Sequence, residues 1–286
     1  MRYLLILAIV LVSLCAGLPE IPFLNPGNVT VQKAGILIID SESPDVFIRA
    51  EPIPTEVKAR RNVNVFFELR NKNNYDLKNV NFTVYDPCLF TGDLEKNISE
   101  IKANRTYSFS LKWTAGSTEF DRDCNVKFRI LYDAEYSLFQ DIAVLSQSEY
   151  EQREVAGTLN NIPIQSSFPD SPLRISLSFS DTQPFMENEK YYMIIDYTNV
   201  GSGLVEVKER DIRIQTPTNI NNFYCSDYDS NLALKEKLNF IGNRAPTSTC
   251  NFNTTTTQTM DIKSLSITAR YKYILDSSIL IKVKRA

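Results

Sequence analysis

Val63-Asn64-Val65-Phe66-Phe67-Glu68-Leu69, then Asn71-Lys72-Asn73-Asn74, then Val80-Asn81-Phe82-Thr83-Val84-Tyr85 is the stretch whose reading decides the fold class. The first segment is rich in β-branched and aromatic residues, which favour a pleated, half-buried strand. The asparagines that follow tolerate the left-handed conformations a reversal needs. The third segment places Val80, Phe82 and Val84 on one face and polar residues on the other, the period of a strand with one wet side. Strand, asparagine turn, strand is therefore the local unit.

The same unit recurs outward from it. Tyr107, Phe109, Leu111 and Trp113 alternate, and so do Val126, Phe128, Ile130 and Tyr132, with Ser137 to Leu145 as a further strand. In the second half Leu173 to Phe179 alternates, Tyr191 to Tyr197 is a strand, and Asn199-Val200-Gly201-Ser202-Gly203 makes the turn. A strand through Ile212 and Ile214 reaches Pro217. Another carries Leu265, Ile267, Ala269 and Tyr271, and a last one spans Ile279 to Val283. No helical stripe is sustained beyond the first residues. Both halves read strand, asparagine turn, strand, proline, cysteine, variable stretch, cysteine, strand with tyrosine, last strand, a degenerate duplication.

At 286 residues the chain is long enough for two domains with cores of their own. The expected architecture is all-β, two tandem immunoglobulin-like β-sandwich domains after an N-terminal signal or anchor segment. The boundaries read as a signal over 1–17, a proline-bearing linker over 18–34, and a first sandwich over 35–146. A linker over 147–172 and a second sandwich over 173–286 follow. A short helix over 146–156 fits inside the second linker, as a hinge or docking element. Trp113 lies between Cys88 and Cys124 at a spacing that does not match the antibody variant of the sandwich.

Arg2 followed by the apolar run Tyr3 to Leu14 has the length of a signal-peptide core and falls short of a bilayer span. Cys15 ends that run, where a lipoprotein signal places its acceptor cysteine. Leu14 occupies a position usually held by a small residue, so cleavage after Ala16 or Gly17 is the competing reading. Beyond the signal stand Cys88, Cys124, Cys225 and Cys250, an even number suited to an oxidising exterior. The layout puts one pair in each half, which predicts Cys88 with Cys124 and Cys225 with Cys250. The expected location is extracellular or on the outer face of the membrane, secreted or lipid-anchored.

Composition removes several kinds of function. The chain contains no histidine, the commonest general acid/base near neutral pH and the commonest transition-metal ligand. Net charge is -3, and no basic stripe interleaved with aromatics is present, which argues against nucleic acid. No catalytic residue, cofactor or metal site is expected. Asp227-Tyr228-Asp229-Ser230-Asn231 opens like a calcium loop but has Leu232 where glycine is required and Leu238 where a bidentate glutamate belongs. Glu119-Phe120-Asp121-Arg122-Asp123 has an arginine among its carboxylates. Both read more simply as solvated turns.

Sequons at Asn28, Asn81, Asn97, Asn104 and Asn253 are candidate N-glycosylation sites. Asn81 alternates opposite to Val80 and Phe82 and should face solvent. Phe223, Tyr224 and Tyr228 cluster beside Cys225 and are read first as core residues, with a carbohydrate-binding face as the alternative. Lys282, Lys284 and Arg285 read as charges that protect an edge strand.

The turn Asn199-Val200-Gly201-Ser202-Gly203 resembles that of CARDB-type adhesion-related domains, and Leu69-Arg70-Asn71-Lys72-Asn73 is similar without the glycines. The whole layout resembles exported archaeal surface proteins and lipoproteins carrying such sandwiches. The resemblance implies a surface binding or structural role and brings no catalytic residue. The expected function is thus a non-catalytic cell-surface or envelope protein using its sandwiches for adhesion, assembly or partner binding, its partners being other surface proteins or glycans. An exported glycan- or peptide-binding subunit is the alternative, and a carboxylate-dependent hydrolase the third.

Overall fold

The computed structural model describes residues 37–39 and 46–286. The signal region, Cys15 and Asn28 lie outside the described residues. The strands of the first half are β1 Leu37–Ile39, β2 Val46–Ile53, β3 Glu56–Lys58, β4 Asn62–Asn71 and β5 Leu77–Asp86. They continue as β6 Phe90–Gly92, β7 Glu95–Ile101, β8 Thr106–Ala115 and β9 Arg122–Leu145. After helix α1, Gln147–Ala156, come β10 Ser166–Ser167, β11 Leu173–Phe179, β12 Phe185–Met186, β13 Lys190–Asn199 and β14 Leu204–Glu206. The chain closes with β15 Ile212–Gln215, β16 Ile220–Cys225, β17 Ser248–Thr254 and β18 Met260–Lys284.

The architecture is all-β sandwich. One sheet has the order β1-β2-β4-β8-β6 and another the order β11-β13-β17-β16. A long sheet, β14-β18-β9-β5-β7 with β3, β10, β12 and β15 attached, runs behind both. Its spine is the antiparallel pair β9 and β18, in register without a break from Met260 opposite Leu145 to Val283 opposite Arg122. At about 3.4 Å per residue each strand is roughly 80 Å long.

This spine corrects the reading of separate strands at 126–132 and 137–145, and at 265–271 and 279–283. The polar residues between them, Asp133 with Glu135 and Asp276 with Ser277, look like turns in sequence. In the structure Asp133, Glu135 and Asp276 lie on the outer face, where Glu135 accepts from Arg270 Nε at 2.7 Å, and Ser277, opposite buried Phe128, keeps the inward side. Asp276 takes Arg129 through two bonds of 2.7 and 2.8 Å. Inward parity is never broken: Val126, Phe128, Ile130, Tyr132, Ala134, Tyr136 and Leu138 are all buried. Unbroken parity was the available signal that no turn intervenes.

The spine is shared. The first half of β9 faces the β2-β4-β8 sheet through a cluster centred on Phe67, whose ring lies 4.5 Å from Phe82 and 5.5 Å from Phe128. Burying a ring such as Phe67 contributes about 1.5–3 kcal/mol. Beside it, the end of β18 supplies buried Ile279, Ile281 and Val283. That end has β9 on one side and β3 on the other, so it is no edge. The protective reading of Lys282 and Lys284 is corrected accordingly. Both lie within 3.7 Å of Glu56, and Lys284 is 3.1 Å from Asp121.

The duplication is visible as geometry. Asn71 Oδ1 accepts from the Asn73 N–H at 3.0 Å, and its Nδ2 donates to the Tyr75 carbonyl at 2.7 Å. Asn199 repeats this with the Gly201 N–H at 3.1 Å and the Gly203 carbonyl at 2.8 Å. A side chain on Gly203 would collide with the Ile274 carbonyl, which explains that glycine. β3 and β12, each parallel to a spine strand, also correspond. The disulfides do not correspond. Cys88 sits in the loop after β5 and reaches across to Cys124 on β9, whereas Cys225 and Cys250 are opposite residues of neighbouring strands.

Helix α1 forms where expected. Ser146 caps it by accepting from the Glu149 N–H, and Gly157, at φ 66°, stops it in the left-handed conformation.

Candidate functional site

The second small sheet, β11-β13-β17-β16, turns one face to the core and the other to solvent. Along β13, Tyr191, Met193 and Ile195 point inward and are buried, which sends Lys190, Tyr192 and Ile194 outward. On β17, Cys250 and Phe252 point in while Asn251 and Asn253 point out. β16 carries an irregularity between Asn221 and Tyr224, and Asn222 has φ 50°. The extra residue lets Phe223 turn inward to stack on Phe252 at 6.2 Å, and Tyr224 emerges on the outer face.

One row across three strands results. Tyr192 lies opposite Asn251, and Asn251 opposite Tyr224. The tyrosines are 45% and 58% exposed, and their backbones are two strand spacings, about 10 Å, apart. The next row is Lys190, Asn253 and Asn221, and the Lys190 ammonium lies 5.4 Å from the Tyr192 ring centre. Directly beside the first row, on the core side, Cys225 and Cys250 are bonded with Cα atoms 4.1 Å apart. The disulfide thus pins the pairing that positions Tyr224 over its neighbour. The arrangement offers two aromatic faces with amide donors and acceptors between them.

Of the three aromatics expected to cluster beside Cys225, only Tyr224 belongs to this surface. Tyr228 is 2% exposed, and its hydroxyl meets that of Tyr197 at 2.6 Å. Tyr197 also donates to Ser248 Oγ at 3.1 Å. Tyr192 was missed because its partner in the row is distant in sequence. Its outward parity next to buried Tyr191 was the only local hint.

A second outward surface lies on the equivalent sheet of the first half. A cleft of about 440 Å³ crosses β2, β4 and β8 over Phe66, Glu68, Ser108 and Ser110, and Arg49 and Glu51 pair at 2.9 Å on its rim.

The acidic loops are engaged by backbone N–H groups. Asp229 Oδ1 accepts from the N–H groups of Asn231 at 2.8 Å and Ala233 at 3.0 Å. The Ala233 bond is the main cause that holds its carboxyl below the usual range. Asp121 accepts from the Arg285 N–H at 3.0 Å and is lowered chiefly by that bond, then by Lys284. Asp76, bonded first to the Ala103 N–H, and Asp86, bonded first to Lys127, are lowered as well. Such carboxylates are held ionised, the opposite of what a general acid needs. Burial pushes several tyrosines upward, among them Tyr136, Tyr197, Tyr228 and Tyr271.

Among the sequons, Asn81 and Asn97 face each other across β5 and β7. Asn97 is exposed, and Asn81, half-buried, accepts from Thr83 Oγ1 at 2.7 Å. Asn104 is exposed in a turn at φ 55°. Asn253 is half-buried on the tyrosine face itself.

No family model matches the chain, and no curated protein does. Among solved structures, the C-terminal globular domain of an oligosaccharyltransferase from Pyrococcus abyssi matches with 11% identity and a TM-score of 0.26, over 88% of this chain and 53% of that one. The secreted serine protease VesC from Vibrio cholerae matches with 11% identity and a TM-score of 0.21, over 85% and 51%. The alpha-2-macroglobulin of Escherichia coli, activated by porcine elastase, matches with 8% identity and a TM-score of 0.21, over 85% and 33%. The chain spans about half the length of the first two and a third of the last. The two disulfides fit an oxidising compartment outside the cytoplasm. Among the described residues, no helix is long and apolar enough to cross a membrane.

Proposed function

We propose that the chain is a non-catalytic binding protein of the cell surface or envelope, and that its second sandwich takes a neutral glycan on the face of Tyr192, Asn251 and Tyr224. The observation that carries this is the row itself: two exposed rings flank an amide on a sheet clipped by Cys225–Cys250. Sugar rings stack their apolar faces on aromatic rings and present hydroxyls edge-on, so rings separated by an amide suit them. The surface role agrees with the adhesion-type turn at Asn199 to Gly203 and with the disulfides. Membrane tethering through the N-terminus belongs to the same proposal.

The test is a glycan array followed by titration of any binder against the folded protein. Tyr192→Ala and Tyr224→Ala should each weaken binding by about 1 kcal/mol, roughly fivefold, with the melting temperature unchanged. Absence of glycan binding, or binding untouched by both substitutions, would sink the proposal.

A further inference from the structure

The two small sheets are equivalent, yet among the described residues one has a strand that the other lacks. In the first, β1 covers the edge of β2, with Leu37 opposite Ala50, Ile38 opposite Arg49 and Ile39 opposite Ile48. β2 and β11 occupy the same place: Val46 lies opposite Asn71 and Ile48 opposite Leu69, as Leu173 lies opposite Asn199 and Ile175 opposite Tyr197. Ile48, Arg49 and Ala50 therefore correspond to Ile175, Ser176 and Leu177. Among the described residues β11 pairs with β13 alone.

The backbone of that edge is poised to pair. Ser180 donates its N–H to Tyr192, and the Pro172 carbonyl accepts from Val200, so the even-numbered residues of β11 bond towards β13. The odd-numbered ones, Ile175 and Leu177 among them, direct N–H and C=O the other way. Leu173, of the same parity, has its carbonyl taken by Tyr136 Oη at 2.7 Å. A cleft of about 340 Å³ follows the edge, lined by Tyr136, Leu138 and Phe168 together with Ile175 and Leu177. Ala50 is fully buried in the covered sheet, whereas Leu177 is only partly buried in the open one.

We infer that the β11 edge accepts a β1 segment, Leu37–Ile39, from a second copy of this chain. The occupant follows from what covers the equivalent edge: this chain's own Leu-Ile-Ile, set antiparallel. Among the described residues β1 is three residues long and pairs with β2 alone, so few backbone bonds hold it in place. Exchange of such an element between copies is a low-cost route to association. Because donor and acceptor are different surfaces, the contact is head-to-tail and builds chains of molecules instead of closed pairs.

The test uses the full chain with Ile38→Cys and Ser176→Cys together. By the register of β1 on β2, these residues become opposite neighbours across the new pairing, a geometry that a disulfide spans. Oxidation should give a ladder of covalent multimers on a non-reducing gel, and mixed isotope-labelled chains should show the 38–176 link between different molecules. Adding Leu177→Pro, which removes one outward N–H and leaves the β13 side bonded, should abolish the ladder. The exposed Ser176→Cys variant and the Ile38→Cys/Arg49→Cys pair serve as folded controls, the latter linking β1 to its own β2. A monomeric double variant, a 38–176 link within one molecule, or a ladder unaffected by Leu177→Pro would each overturn the inference.

Discussion

Asn71 and Asn199 perform one task in two places, each closing the turn after its strand through a bond to the second following N–H and another to the fourth following carbonyl. They differ in load. Asn71 Nδ2 also lies 3.1 and 3.2 Å from the carbonyls of Ile101 and Lys102, joining the turn to the end of β7. Asn71→Ala should therefore cost about 2–4 kcal/mol and Asn199→Ala about 1–3 kcal/mol, because buried backbone groups lose their partners. Urea titrations of the two variants check the order.

The C-terminal strand should be required by the first half. Ile279, Ile281 and Val283 are buried against β9 and β3, far in sequence from the sheet they complete. A fragment ending at residue 146 loses that burial, about 1.5–3 kcal/mol for each side chain. Circular dichroism should show it unfolded alone and folded when a peptide of residues 274–286 is added.

Alkaline pH should unfold the protein through its tyrosines. Burial pushes Tyr197 up to about 12, while the unfolded hydroxyl titrates near 10. Between those values the folded state holds the proton and the unfolded state releases it, so stability is intact below pH 10 and falls as pH rises towards 12. Tyr228 and Tyr271 are raised for the same reason and steepen the loss. Tyr197→Phe should flatten the slope measured by denaturant titration from pH 9 to 12, while costing about 1 kcal/mol at neutral pH.

Reduction should separate stability from the tyrosine face. The Cys225–Cys250 link closes 25 residues and the Cys88–Cys124 link 36, each contributing about 3–4 kcal/mol on chain entropy. Cys225→Ser with Cys250→Ser should also release the pairing beside Tyr224 and weaken glycan binding. The corresponding double substitution at Cys88 and Cys124 should lower the denaturation midpoint and leave binding unchanged.

Strand content and the two asparagine turns were legible in the sequence, because alternation and turn chemistry act over a few residues. The helix after Ser146 was legible as a short polar stretch between strand patterns. The inward and outward sides of β5 and β8 followed directly from parity. Two strands of 24 and 25 residues, far longer than usual, were not legible, since polar pairs such as Arg129 with Asp276 resemble turns until their partners are known to stand opposite.

What the sequence by itself determined is an all-β chain with a duplicated strand-turn-strand plan. Only the tertiary structure decided that one spine serves both halves, that Tyr224 stands with Tyr192 while Tyr228 goes to the core, and that among the described residues β11 is left uncovered where β2 is not. Each of these depends on which distant strands become neighbours. Pairing across more than a hundred residues is set by the packing of whole sheets, which leaves little mark in a local pattern.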